Sequence, residues 1–287
     1  MKYRHQFGLS IMELMVSLTL GLLIALAATQ LFLTNQKSFN LQSGMGNVQE
    51  NGRFALDYIN STIRNAEYQR TGNGTPTLGV VTDSTQLPGV LASNNMVSAN
   101  DLTALGIGNS DQLVTRMWVS DTMIASGFRD CEGNAVTVPS FVVTRYFIRA
   151  DTASNSTAAL ACDAGSYTDD ATAMTNYEDS GVVLLSAVDS FQFMLGVTAN
   201  ATTPLGQRFP VRYMTVADYL AIIPATNRPL ISSIRLGILV KSTETVANGE
   251  MPANDIKVLE KTISASSLND KRIHRLFTST LAMRNAL

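Results

Sequence analysis

The chain has 287 residues, 21 basic and 23 acidic, giving a net charge of −2 and a pI near 5.7. Charges that nearly cancel leave no electrostatic footprint for nucleic acid, which excludes that class of partner. Charged residues make up only 15%, below the roughly 25% of average soluble proteins, and Ser, Thr, Asn and Gly fill the gap; an exported, β-rich domain suits this composition better than a cytosolic enzyme.

Residues 1–8, MKYRHQFG, form a short head carrying Lys2 and Arg4. An apolar run follows over Leu9–Leu33, with no charge from Leu14 to Ala28. As a helix of about 25 residues it would extend about 37 Å, enough to cross a bilayer core of about 30 Å. Glu13 sits one turn inside this run, where an ionised carboxylate costs several kcal/mol without a partner. One reading leaves Glu13 near the interface of a signal anchor, reaching water. The other supplies a cation: a cut after Gly8 would expose an amine at Leu9, positively charged near neutral pH. Leu9 and Glu13, four residues apart, share one helix face, so the amine would neutralise Glu13 of its own chain or of a neighbour.

Gly8-Leu9-Ser10-Ile11-Met12-Glu13-Leu14-Met15 resembles the type IV prepilin signature, in which a peptidase cuts after glycine and glutamate is the fifth mature residue. The resemblance implies removal of a basic leader on the cytoplasmic side and methylation of the new amine at Leu9. The chain departs from the family at Leu9, where phenylalanine is usual, and at Met12, where isoleucine or leucine is commoner. Both positions stay apolar. A rival cut lies at Ala25-Leu26-Ala27, an A-x-A-like site for signal peptidase, against which stand Glu13 within the apolar segment and the renewed apolar run to Leu33. The basic head, with no matching cluster after Leu33, places the amino terminus in the cytoplasm and the remainder outside.

From Thr34 the pattern turns amphipathic. Phe39, Val48, Ala55, Ile59, Thr62, Ile63 and Ala66 recur at helical spacing, predicting one helix that continues to about Tyr68. Gly44, Gly46 and Gly52 each cost about 1 kcal/mol of helix propensity and mark a place for a break. The organisation expected is therefore a leader over 1–8, a membrane helix over 9–33, its amphipathic continuation over 34–68, and a β-rich periplasmic domain over 69–287.

Within that domain Thr71 to Ser110 is turn-rich and reads as a surface excursion. Strands are predicted over Gln112–Val119, Phe141–Ile148, Val182–Val197 and Ile231–Val240, all β-branched or aromatic and partly alternating. Asp151–Asn155 and Thr168–Tyr177 read as loops, and Val216–Ile223 as a short helix ended by Pro224. Lys257–Ile263 alternates like an edge strand, and Lys271–Asn285 looks like a final strand with basic residues on one side, serving either as a solvated edge or as a partner-binding one.

Cys131 and Cys162 have no CxxC or Cys/His neighbour, so a zinc site lacks ligands. In an exported domain a disulfide is the default, worth about 3–4 kcal/mol in the chain-entropy model; two free thiols are the alternative. No catalytic constellation can be assembled: His5 lies in the head, and His274 reads as a surface imidazole among basic neighbours. Gly72-Asn73-Gly74 and Gly106-Ile107-Gly108 lack the context of phosphate loops. Asp169, Asp170, Glu178 and Asp179 form an acidic group whose spacing matches no EF-hand, better read as a solvated loop than as a calcium site. Trp118 and Tyr146 read as core residues.

Further pieces resemble the PilW-type branch of the prepilin family. They are Gln49-Glu50-Asn51-Gly52-Arg53-Phe54-Ala55-Leu56, Ala187-Val188-Asp189-Ser190-Phe191-Gln192, Ile234-Arg235-Leu236-Gly237-Ile238-Leu239, and the ending from Arg275-Leu276-Phe277 to Arg284-Asn285. The resemblance implies an α+β, pilin-like fold in which the long amino-terminal helix packs on an antiparallel sheet. It further implies a minor pilin of the priming or tip complex of a type IV pilus. The partners implied are other minor pilins and the major pilin through the helix, the prepilin peptidase, and the inner membrane. No cofactor and no enzymatic activity are expected. A minor pseudopilin of a type II secretion system and a pilus-associated adhesin are the alternatives.

Overall fold

The computed structural model describes residues 10–66, 79–88, 96–103, 108–151, 158–202, 209–246 and 254–283. Its first element is a single helix, α1 (Ile11–Asn65), unbroken for 55 residues. Every residue from 11 to 43 is exposed, and burial begins at Gly44. The buried positions Gly44, Val48, Gly52, Ala55, Leu56, Ile59 and Ile63 form one stripe at helical spacing.

Two antiparallel sheets receive that stripe. β1 (Ala99–Thr103), β2 (Ser110–Val119), β3 (Ser140–Arg149), β4 (Ala159–Tyr167) and β5 (Val182–Ser186) form a five-stranded meander in chain order. A four-stranded sheet has the order β11-β8-β6-β7, from β6 (Val188–Val197), β7 (Arg212–Met214), β8 (Ile231–Lys241) and β11 (His274–Ala282). Beside the sheets lie the short helices α2 (Asp121–Ala125) and α3 (Val216–Leu220), the hairpin β9 (Ile256–Val258)–β10 (Lys261–Ile263) and short 3-10 turns.

One apolar core is shared by the helix and both sheets. Ile59 and Ile63 of α1, Leu113 of β2, Tyr146 of β3, Leu160 of β4, Phe191 and Phe193 of β6 and Leu236 of β8 are all fully buried in it. A smaller cluster of Val81, Leu87, Val97, Val114 and Val143 involves the same five-stranded sheet, and another of Leu239, Val258, Ile263 and Leu268 lies under the β9–β10 hairpin. All ten residues of β2 and of β6 are buried, so these strands are covered on both sides.

The stretch Val182–Val197, predicted as one strand, is two. Ala187 adopts a left-handed φ of 61°, costly for a residue with a Cβ, and passes the chain from β5 in one sheet to β6 in the other. Lys257–Ile263 is likewise a two-stranded hairpin that turns at Leu259, φ 55°. The helix is not interrupted at Gly44, Gly46 or Gly52; its described end is Asn65, and residues 67–78 lie outside the described residues. Trp118 and Tyr146 are core residues, with Trp118 edge-on to Phe141 at 4.8 Å between ring centroids.

Candidate assembly interface

The amino-terminal half of α1 combines an apolar surface with almost complete exposure. Ile11 keeps 82% of its surface and Phe32 66%. Among the described residues it is the helix long and apolar enough to cross a membrane. Hydroxyls on this half bond back to the helix: Ser17 Oγ donates to Glu13 O at 2.6 Å and Thr29 Oγ1 to Ala25 O at 2.8 Å. In a continuous helix the interior backbone groups bond one another, so the bare arm can lie in an apolar medium.

Glu13 occupies the third position of the helix. The Ser10 N–H donates to Glu13 Oε2 at 3.4 Å, and Leu14 N–H to Ser10 O at 3.1 Å. A carboxylate in the first turn is favoured by the helix dipole and by the free N–H groups there. Gly8 and Leu9, where the cut and the methylated amine are expected, lie outside the described residues.

The seat of the helix on the domain starts at Gly44. A Cβ added there would stand 3.2 Å from Ile273 Cδ1. Two turns on, a Cβ at Gly52 would collide with the ring of Phe277. These glycines let helix and β11 approach, which is why they occur in an otherwise regular helix. Beyond them Asn60 Nδ2 donates to Ser279 Oγ at 3.2 Å and Tyr58 OH to Cys131 O at 3.4 Å.

Cys131 and Cys162 form a disulfide, with Cα atoms 6.3 Å apart and so within the usual range. The bridge ties the segment between α2 and β3, which Tyr58 of α1 touches, to the buried strand β4.

The amino-terminal end of β11 holds a buried charge cluster that the sequence reading missed. His274 is not a surface imidazole. Its side chain is fully buried between two carboxylates, with Nδ1 2.8 Å from Asp189 Oδ2 and Nε2 2.8 Å from Asp270 Oδ1. Lys241 Nζ lies 2.7 Å from Asp189 Oδ1. Burial pulls the imidazole pKa down, but Asp189 and Asp270 outweigh it and hold it above its ordinary value. His274 and Lys241 are register partners across β11 and β8, and only that pairing brings residues 33 positions apart to one carboxylate. Ile273, against Gly44, is the next residue, so the cluster borders the start of the helix seat.

A helix apolar and bare over its first half, seated through its second half on antiparallel sheets, defines a pilin-like α+β protein. The family described as PilW, Type IV pilus-assembly protein W, matches residues 145–285 of this chain. That stretch runs from within β3 past the end of β11 and takes in β4, β5 and the four-stranded sheet, and the match supports a pilus-related role. Among solved structures a type IV-like pilin from Thermus thermophilus is similar at 13% identity and a TM-score of 0.40, covering 86% of this chain and 98% of that one. No curated protein matches the sequence.

Proposed function

We propose that this chain is a minor pilin, cut after Gly8 and methylated at Leu9, that joins the complex priming or tipping a type IV pilus. In this reading it first spans the inner membrane once, with its globular domain in the periplasm. It then leaves the bilayer by exchanging lipid for the same helical segment of other pilins. It acts structurally rather than as an enzyme.

The observation that carries the reading is the division of α1 at Gly44. Thirty-three consecutive helical residues, from 11 to 43, are exposed and predominantly apolar; such a surface belongs either in lipid or against other helices. At about 1.5 Å per residue this arm reaches about 50 Å. Glu13 sits at its tip, where the Ser10 N–H holds it at 3.4 Å. The amine freed at Leu9 supplies the cation that lets this carboxylate pack among other helices, so the acid penalises assembly of any chain still carrying its leader.

Intact mass of the membrane-extracted protein tests the processing. Loss of residues 1–8 with one added methyl is expected; cleavage after Ala27, or an uncut chain in piliated cells, contradicts the proposal. Glu13→Val should leave the melting temperature of the purified chain unchanged while lowering pilus number, and normal piliation in that variant would remove the role given to Glu13.

A further inference from the structure

Next to the disulfide, three carboxylates from distant parts of the sequence converge. Glu132 lies between α2 and β3, Asp163 on β4, and Asp179 between β4 and β5; one oxygen of each lies within 4.8 Å of the others. Glu132 follows Cys131 and Asp163 follows Cys162, so the disulfide fixes two of the three against each other. Of the acidic group singled out in the sequence, only Asp179 takes part; Asp170 instead accepts from Thr168 Oγ1 at 2.8 Å.

Asp163 is fully buried, and its two oxygens are treated unequally. Oδ2 stands 2.6 Å from Arg145 Nη2 and accepts from Glu178 N–H at 3.2 Å. Oδ1 has no hydrogen-bond partner among the described residues. A buried carboxylate oxygen without a partner is costly. Arg145 does not serve it; the guanidinium bonds Asp163 through Oδ2 and otherwise donates to Asp179 O at 2.6 Å and to Met96 Sδ at 3.0 Å.

The charge balance is uneven as well. Of the three carboxylates only Asp163 has an ion pair among the described residues, with Arg145. Burial, with Asp179 adding to it, pushes Asp163 up to about 6 despite Arg145. Glu132 is raised by burial and then by Asp179, Asp163 and Asp130.

We infer that Glu132, Asp163 and Asp179 bind a divalent cation, with calcium preferred. The donors are all hard oxygens, which suit calcium or magnesium rather than zinc or copper. At calcium–oxygen distances of about 2.3–2.6 Å, oxygens on opposite sides of the ion stand about 4.6–5.2 Å apart. Three oxygens within 4.8 Å of one another fit that sphere, and an irregular, partly open donor set suits the flexible shell of calcium better than the near-ideal octahedron that magnesium demands. Asp163 Oδ1 becomes the buried ligand, and the partly exposed Glu132 and exposed Asp179 leave room for water to complete the shell. A bound ion would pin the β4–β5 loop to the disulfide-linked segment, stiffening the side of the domain that Tyr58 of α1 touches.

The test uses the full-length chain in detergent, stripped with EGTA and titrated calorimetrically with calcium chloride. One calcium per chain is expected, together with a rise in melting temperature that equimolar magnesium chloride does not reproduce. Glu132→Gln and Asp179→Asn avoid the buried position and should each weaken calcium affinity at least tenfold while circular dichroism in EGTA stays that of the parent. Asp169→Asn with Asp170→Asn should leave affinity unchanged. Absence of binding up to about 5 mM, above the range of extracellular calcium modules, overturns the inference, as does unchanged affinity in either single variant.

Discussion

Gly52 of the long helix lies against the ring of Phe277 on β11, so closely that a single added methyl group would overlap the aromatic carbons. In an isolated helix Gly→Ala stabilises by about 1 kcal/mol. Here the overlap should reverse the sign, since forcing a methyl into a filled contact costs about 1–3 kcal/mol. Gly52→Ala is therefore expected to lower the thermal midpoint of the full chain, a net loss of up to about 2 kcal/mol. With Phe277→Ala already in place, the same change should raise it. Equal effects in the two backgrounds, read by a double-mutant cycle, would show that the ring does not govern the seat.

Where β7 fails to cover β6, β2 takes over. β7 pairs only with residues 195–197 of β6, and the N–H groups of Phe191 and Phe193 donate instead to Ser110 Oγ at 3.2 Å and Asp111 Oδ2 at 2.8 Å. Asp111 also accepts from Asp101 N–H at 2.9 Å and Asn100 Nδ2 at 2.8 Å. Burial pushes its pKa up to about 6, against those hydrogen bonds. Asp111→Ala strands two backbone donors and should cost about 2–5 kcal/mol. Asp111→Asn, which keeps an acceptor, should cost less. Comparable losses in denaturant titrations of the two variants would show that the hydrogen bonds do not join the sheets.

For His274 the sign of the pH dependence follows from the raised pKa. The protonated ring between Asp189 and Asp270, with Lys241 and Arg272 the neighbouring cations, is favoured in the folded chain. Its contribution is complete below the ordinary value of 6.5 and fades as pH rises through the higher folded value. The melting temperature of His274→Gln should fall further below the parent at about pH 6 than at about pH 9. A gap that is constant or widens with pH would mean the imidazole is neutral in its site.

Much of this architecture is legible from residue pattern alone. The apolar run from Leu9 announces the helix, and β2, β3 and β8 carry enough Val, Ile and aromatics to declare themselves. β4 does not. Its sequence, Ala-Leu-Ala-Cys-Asp-Ala-Gly-Ser-Tyr, is small and polar because it lies between β3 and β5 with Leu160 and Cys162 in the core beneath α1. Tertiary position overrides its weak strand preference. The glycines of α1 mislead for a related reason: propensity counts their cost, while only the facing Ile273 and Phe277 reveal their use. His274 could not be placed from the sequence, because its partners Asp189 and Lys241 reach it only through strand register.

The alignment of α1 with β11 has a mechanical consequence. Gly44 meets Ile273, Gly52 meets Phe277, and Asn60 bonds Ser279, so helix and strand advance in the same direction. Tension drawn through the bare arm thus reaches β11 lengthwise. β11 is held to β8 by nine paired residues, from His274 with Lys241 to Ala282 with Ser233. Loaded in that direction, its hydrogen bonds must yield in shear together rather than unzip one at a time. A domain built this way resists a pull on its helix without the strand peeling open from one end.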